Sequence, residues 1–148
     1  MKESFLVREI QRSDLRQVAA LETRLFTDPW SEGTLSSCID DLFLIAEREG
    51  KVSGYLVARD SGTEAEILTF GVDPALRRRG VGSALLTAVA DRLEQVGVRK
   101  LYLECRVSNV PAISFYLKHG FLEVGKWANY YRSPRENGVV MCRKIGPV

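Results

Sequence analysis

Val72-Asp73-Pro74-Ala75-Leu76-Arg77-Arg78-Arg79-Gly80-Val81-Gly82-Ser83-Ala84-Leu85 is the stretch around which the chain organises itself. A strand-like run over residues 67–72 stops at a proline, three arginines follow, and Gly-x-Gly opens a segment with helical periodicity. That layout builds an anion cradle. Glycines leave backbone N–H groups uncovered, a helix N-terminus adds positive potential, and arginine adds charge and forked donors. A plain strand-to-helix turn would account for the glycines alone; the three arginines favour phosphate binding.

Downstream, Val81, Leu85, Val89 and Leu93 recur every four residues, with Leu86 and Val96 beside them, and Gly97 stands where a C-terminal cap belongs. Residues 98–107 read as a strand. Residues 109–119 carry Ala112, Phe115 and Tyr116 at helical spacing, and Gly120 stops them. Two last strands, over 121–130 and 138–144, flank a loop with Pro134 and Asn137-Gly138. Upstream, residues 5–10 form a first strand, and Ser13 or Asp14 can cap a helix carrying Leu15, Val18, Ala19 and Leu25. Pro29 breaks it, because the residue before a proline avoids helical angles. A short helix runs over about 31–40. Residues 42–49 and 52–59 read as strands joined at Gly50-Lys51, and 64–72 as the next after a turn at Ser61-Gly62.

The order β-α-α-β-β-β-α-β-α-β-β predicts an α/β fold: a mixed sheet of about seven strands with helices on both faces. The 148 residues suit one domain, 1–148, and 45% apolar content is ordinary for one. A net charge of +2 is too small for a general nucleic-acid binder. No apolar stretch approaches the ~18 residues that span a membrane, and Met1-Lys2-Glu3-Ser4-Phe5 lacks a signal-peptide core. Cys38, Cys105 and Cys142 are odd in number and lack metal-ligand spacing, so neither a metal nor a disulfide framework is expected. A cytoplasmic protein is the expectation.

At this point the chain resembles a known family. Arg77-Arg78-Arg79-Gly80-Val81-Gly82 fits the Gln/Arg-x-x-Gly-x-Gly/Ala fingerprint of the GNAT superfamily of acetyl-CoA-dependent N-acetyltransferases. Leu101-Tyr102-Leu103-Glu104-Cys105-Arg106-Val107-Ser108-Asn109 and Ala112-Ile113-Ser114-Phe115-Tyr116-Leu117-Lys118-His119-Gly120-Phe121 look like its next two blocks. Pro29-Trp30-Ser31 and Asn129-Tyr130-Tyr131 are similar to its RimI branch, which acetylates the N-terminal alanine of a small-subunit ribosomal protein.

The resemblance implies acetyl-CoA as co-substrate and no metal. It implies that Arg77, Arg78, Arg79, Gly80, Val81, Gly82 and Ser83 hold the pyrophosphate, and that a backbone N–H around Phe70, Gly71 and Val72 takes the oxyanion. It gives Asn109 a CoA contact, Glu104 the general base and Tyr116 the acid for the departing thiolate. A protein α-amine, pKa ~7.7–8.0, asks only for a modest base. Transfer is then direct; Cys105 follows Glu104 in a strand and should face the other way. Trp30, Trp127, Tyr130 and Tyr131 are candidates for an acceptor wall.

Each role has a plainer rival. Glu104 could pair with Arg106, Tyr116 could be core, Asn109 a helix cap, His119 a helix-end residue and the aromatics strand packing. Trp127-Ala128 and Glu136-Asn137-Gly138 depart from the RimI pattern where the acceptor would dock. The acceptor could therefore be a different N-terminus or a small-molecule amine. A non-catalytic CoA sensor is a further alternative. A dinucleotide-binding oxidoreductase fits less well, because Leu85 stands at the third glycine position.

Overall fold

The computed structural model describes residues 4–146. The elements run β1 (Leu6–Glu9), α1 (Leu15–Leu25), α2 (Glu32–Ser36), β2 (Leu42–Arg48), β3 (Lys51–Asp60), β4 (Glu64–Val72), α3 (Val81–Gln95), β5 (Lys100–Arg106), α4 (Val110–Lys118), β6 (Leu122–Arg132) and β7 (Arg135–Lys144). This is the expected order. The strands pair as β1-β2-β3-β4-β5-β7-β6. β4 and β5 are parallel and β5–β7 and β6–β7 antiparallel, so the sheet is mixed. The chain divides into two compact units: residues up to Arg59 with Leu68–Arg92, and Asp60–Ile67 with the residues from Leu93 onward. β4 contributes to both.

In the first unit, α1 buries Leu15, Val18 and Leu21, and α2 buries Leu35, in one cluster with Phe43, Ile45, Tyr55 and Val57 of β2 and β3. Strand side chains alternate, so Gly54 and Leu56 face the other way. A Cβ on Gly54 would lie 3.1 Å from both Val81 and Leu85 of α3, which therefore covers that second face. Helices flank the sheet on both sides, as the order predicts.

In the second unit, Leu101, Leu103 and Cys105 of β5 are buried, while Tyr102, Glu104 and Arg106 alternate with them and stay partly exposed. Phe121, Val139, Met141 and Ile145 are also buried there. Tyr116 of α4 meets Phe121 edge-on at 5.4 Å.

Three local readings change. Asp14 does not cap α1 with its side chain. Its carboxylate instead accepts from the Gln11 N–H at 2.8 Å and from both Arg8 Nη atoms at 2.8 and 2.9 Å. The β2–β3 turn is Glu49-Gly50, both at positive φ, one residue earlier than expected. Asn137-Gly138 is no loop; it lies inside β7, and the turn falls at Ser133-Pro134.

Candidate active site

The arginine-glycine loop belongs to the first unit. β4 ends at Val72, and Asp73 caps a short 3-10 turn over Pro74–Leu76 by accepting from the Ala75 N–H at 3.0 Å. Arg78 and Gly80 take φ of 65° and 86°. A glycine is at ease there and an arginine is not. Arg77, Arg78 and Arg79 are exposed. The first helical bond of α3 runs from the Ala84 N–H to the Gly80 carbonyl at 3.0 Å. The N–H groups of Val81, Gly82 and Ser83 therefore precede the helical ladder, at the positive end of a 15-residue helix. The loop thus joins exposed arginines to a helix start, the layout read from the sequence.

Next to it in the same unit, Gly71 is buried, and its α-carbon faces Leu25 and Tyr55. A Cβ there would stand 2.5 Å from Leu25 Cδ1 and 2.8 Å from the Tyr55 hydroxyl. Only glycine keeps Phe70–Val72 on its present path.

Glu104 lies in the second unit. Its carboxyl is held above the ordinary carboxylate range, first by burial and then by the negative charge of Glu66; a hydrogen bond from Tyr130 works the other way. The Tyr130 hydroxyl donates to Glu104 Oε2 over a long 3.4 Å. Register explains Glu66. It pairs with Tyr102 across the parallel β4–β5 ladder, so it shares a face with Tyr102 and, two residues on, Glu104. Arg106, two residues on, has partners on the β6–β7 side. Arg106 binds Glu136 Oε1 at 3.2 Å and the Pro134 carbonyl at 2.8 Å, and lies 4.5 Å from the centre of the Tyr131 ring. Glu136 also accepts from the Ser108 N–H at 2.8 Å, and these bonds hold it below the ordinary carboxylate range.

Tyr116 is packed edge-on against Phe115 and Phe121. Burial raises its phenol well above the ordinary value, with Cys105 and Tyr131 adding to the effect. Tyr131 is raised by burial and then by Cys105, Tyr130 and Glu104, while Arg106 works the other way. It is thus within electrostatic reach of the neighbourhoods of both Glu104 and Tyr116. The Cys105 thiol is pushed up to about 11, by burial and then by Glu123. It holds its proton at neutral pH. Asn109 does cap α4, its side-chain oxygen accepting from the Ala112 N–H at 3.3 Å. His119 closes the same helix, with Nδ1 2.8 Å from the Phe115 carbonyl.

Three of the four predicted aromatics, Trp127, Tyr130 and Tyr131, cluster on β6, with Tyr130 at Glu104. Trp127 and Tyr130 meet edge-on at 5.5 Å, and Tyr130 and Tyr131 at 5.0 Å. Trp127 is 54% and Tyr130 43% exposed, which is more than strand packing needs. Trp127 pairs with Gly138, Asn137 Oδ1 accepts from the Asn129 N–H at 2.9 Å, and a Cβ on Gly138 would meet the Tyr130 side chain at 3.3 Å. The two segments that depart from the RimI pattern are therefore one bulged patch of the β6–β7 ladder. Trp30, in the first unit, is half-buried against the α1 cluster.

A family model, the acetyltransferase (GNAT) family, matches residues 12–121. The chain belongs to the GNAT family. It is an N-acetyltransferase by that membership and by its relatives. It is 34% identical to the [ribosomal protein bS18]-alanine N-acetyltransferase of Escherichia coli K12, covering 94% of this chain and 97% of that one. The crystal structure of the Escherichia coli ribosomal-protein-S18-alanine N-acetyltransferase superposes with a TM-score of 0.89 at 32% identity, covering 98% and 96% of the two chains. Ard1 from Thermoplasma volcanium gives a TM-score of 0.92 at 31% identity, covering 97% and 99%. Arabidopsis thaliana Naa50, solved with the bisubstrate analogue CoA-Ac-MVNAL, gives 0.84 at 28%, covering 95% and 98%. GNAT membership also removes the oxidoreductase alternative.

Sequence reading missed two carboxylates here, Glu66 beside Glu104 and the buried Glu22. Glu66 has no local signal, because its place beside Glu104 depends on pairing between distant strands. Glu22 did leave a signal: it falls on the Val18/Leu25 side of α1, a polar residue at an apolar position. Among the described residues, no helix is long and apolar enough to cross a membrane, and no group of three or more His, Cys, Asp or Glu is placed to hold a metal ion.

Proposed function

We propose that this chain transfers the acetyl group of acetyl-CoA to the α-amine of a protein N-terminus by direct attack, as one GNAT domain working in the cytoplasm. A ribosomal-protein N-terminal alanine is the first acceptor to test. One observation carries the reading: Glu104, a half-buried carboxylate whose charged form is disfavoured, sits beside an exposed aromatic rim. The N-terminal acetyltransferases similar to this chain support the choice of acceptor.

The roles follow from chemistry. Arg77, Arg78, Arg79 and the N–H groups of Gly80, Val81, Gly82 and Ser83 hold the CoA pyrophosphate, and the Asn109 amide contributes a further donor. The amine nitrogen attacks the thioester carbonyl. A C–N bond forms, and a backbone N–H among Phe70, Gly71 and Val72 stabilises the oxyanion. Glu104 takes the amine proton; its raised affinity for protons makes it a better base than a solvated carboxylate. The C–S bond then breaks. Tyr116 keeps its proton at every working pH, so it is always ready to donate to the sulfur. A free thiol has pKa ~8.5, below that of this phenol. Tyr116 therefore acts chiefly by hydrogen-bonding the developing thiolate, and water completes its protonation. Cys105, protonated and behind Glu104 on the strand, takes no part. Trp30, Trp127, Tyr130 and Tyr131 line the acceptor.

Mass spectrometry of products, after incubation with acetyl-CoA and libraries of N-terminal peptides and small amines, tests the reading. Acetylated peptide α-amines support it; acetylated small amines alone refute the acceptor. Glu104→Gln should keep acetyl-CoA affinity by calorimetry and lose roughly 10²–10⁴ in turnover. Wild-type rates in that variant across pH 6 to 9 would remove Glu104 from the role. No heat with acetyl-CoA would remove the reading altogether.

A further inference from the structure

Glu22 is 2% exposed, yet it carries a carboxylate in the middle of the first unit's apolar cluster. Burying a charge this deeply is costly unless donors surround it. Three do. The Tyr55 hydroxyl donates to Oε1 at 2.6 Å, the Thr69 hydroxyl to the same oxygen at 2.8 Å, and the Trp30 backbone N–H to Oε2 at 3.0 Å. These donors come from β3, from β4 and from the α1–α2 connection. Thr69 directly precedes Phe70, and the Tyr55 ring is the surface against which Gly71 rests. One carboxylate therefore fixes both the strand segment assigned to the oxyanion and the backbone that presents Trp30.

The two oxygens divide this work. Oε1 serves the sheet, and Oε2 serves the loop. Trp30 follows Pro29, which has no N–H to donate, and its own N–H is tied to Glu22. α2 begins two residues later, at Glu32. We infer that Glu22 is a positioning residue for the acceptor: it pins the Trp30 segment to β4, and so sets how well the acceptor amine binds without touching the acetyl donor. The inference rests on the acceptor role given to Trp30 above.

The test is a split of kinetic constants. Glu22→Met keeps the volume and removes the acceptor for all three donors. Thr69→Val removes one sheet contact and leaves the Trp30 bond in place. Both variants should lose stability. Only Glu22→Met should raise the KM for the peptide, by about tenfold, the scale of one hydrogen bond to a charged acceptor. Acetyl-CoA affinity by calorimetry should stay within twofold in both. An unchanged peptide KM in Glu22→Met, or an equal rise in Thr69→Val, would overturn the inference and leave Glu22 a packing device. If Glu22→Met does not fold, Glu22→Gln gives the same readout. Its single carbonyl oxygen cannot serve both sides equally, so a smaller rise of a few-fold is expected, and no rise refutes. A wild-type enzyme that acetylates no peptide would fail the proposed function itself, which the wild-type control shows before any variant is read.

Discussion

Replacing Gly71 by alanine puts a methyl group where the structure has no room. Its carbon would lie 2.5 Å from Leu25 Cδ1, 2.8 Å from the Tyr55 hydroxyl oxygen and 2.9 Å from Tyr55 Cζ. The two neighbours differ in how they can respond. Leu25 Cδ1 is the tip of a flexible side chain at the end of α1 and can rotate away. The Tyr55 ring is fully buried, and its hydroxyl is tied to Glu22 at 2.6 Å, so it cannot. Overpacking of this kind costs ~1–3 kcal/mol. For a chain near this size that is roughly 2–12 °C in melting temperature, at ~2–4 °C per kcal/mol. Tyr55→Phe removes the clashing oxygen and its bond to a charged group, and alone costs ~1.5–3 kcal/mol. Because both changes act on the same few ångströms, they must couple. The double variant should be more stable than the two single losses predict, by ~0.5–3 kcal/mol. Calorimetric melting of the four proteins in the cycle measures this. Losses that simply add, or a rescue by Leu25→Ala but not by Tyr55→Phe, would refute the claim that the tethered tyrosine is what makes Gly71 necessary.

Two further outcomes follow from charge. Glu104 must be ionised to act as a base, and its carboxyl is raised by burial and then by Glu66. Removing the negative charge with Glu66→Gln should therefore move the acidic limb of the kcat/KM profile to lower pH; an unmoved limb would detach Glu66 from the base. Asp14 is held below its ordinary value by its bonds from Arg8. The stability this pair supplies is fully present above the unfolded carboxylate's pKa, ~3.9, and is lost as pH falls through the lower folded value. Urea midpoints should show Arg8→Met weaker than wild type at neutral pH, with the gap closing on acidification below about pH 4; a constant gap would refute the linkage.

What was legible in the sequence was local. The arginine-glycine loop needs only glycines, arginines and a helix start within a dozen residues, and each is visible without knowing the fold. The apolar spacing of α3 and the β-like run before Glu104 are of the same kind, and so is the Asn109 cap. What escaped depended on register. Asn137-Gly138 has the chemistry of a tight turn, but here Asn137 bonds the Asn129 backbone and Gly138 makes space for Tyr130, inside a bulged ladder. Asp14 has the chemistry of an N-cap, but an arginine six residues earlier outcompetes the helix for its carboxylate. Glu66 gains meaning only once β4 and β5 are paired through Glu66 and Tyr102.

The carboxylate base proposed above also bears on which amines can react. A buried carboxylate raised by Glu66 is still a weak base beside an ammonium group, so it cannot strip a proton from a strongly basic amine at useful rates. It works on amines of which a fair fraction is already neutral. An α-amine, pKa ~7.7–8.0, is neutral in a fair fraction of molecules at pH 7.4, whereas a lysine side chain, pKa ~10.4, is neutral in about one per thousand. The difference in reactive fraction is on the order of 10²–10³, before any contact with the acceptor is made. Lysine's greater nucleophilicity returns only part of it. In this reading, preference for N-termini over lysines is set by the modest strength of the base, and the aromatic patch of Trp127, Tyr130 and Tyr131 is left to choose among N-termini. The two properties should then separate. Substitutions in the patch would alter which peptide is preferred, while the bias against lysine would persist wherever Glu104 is intact.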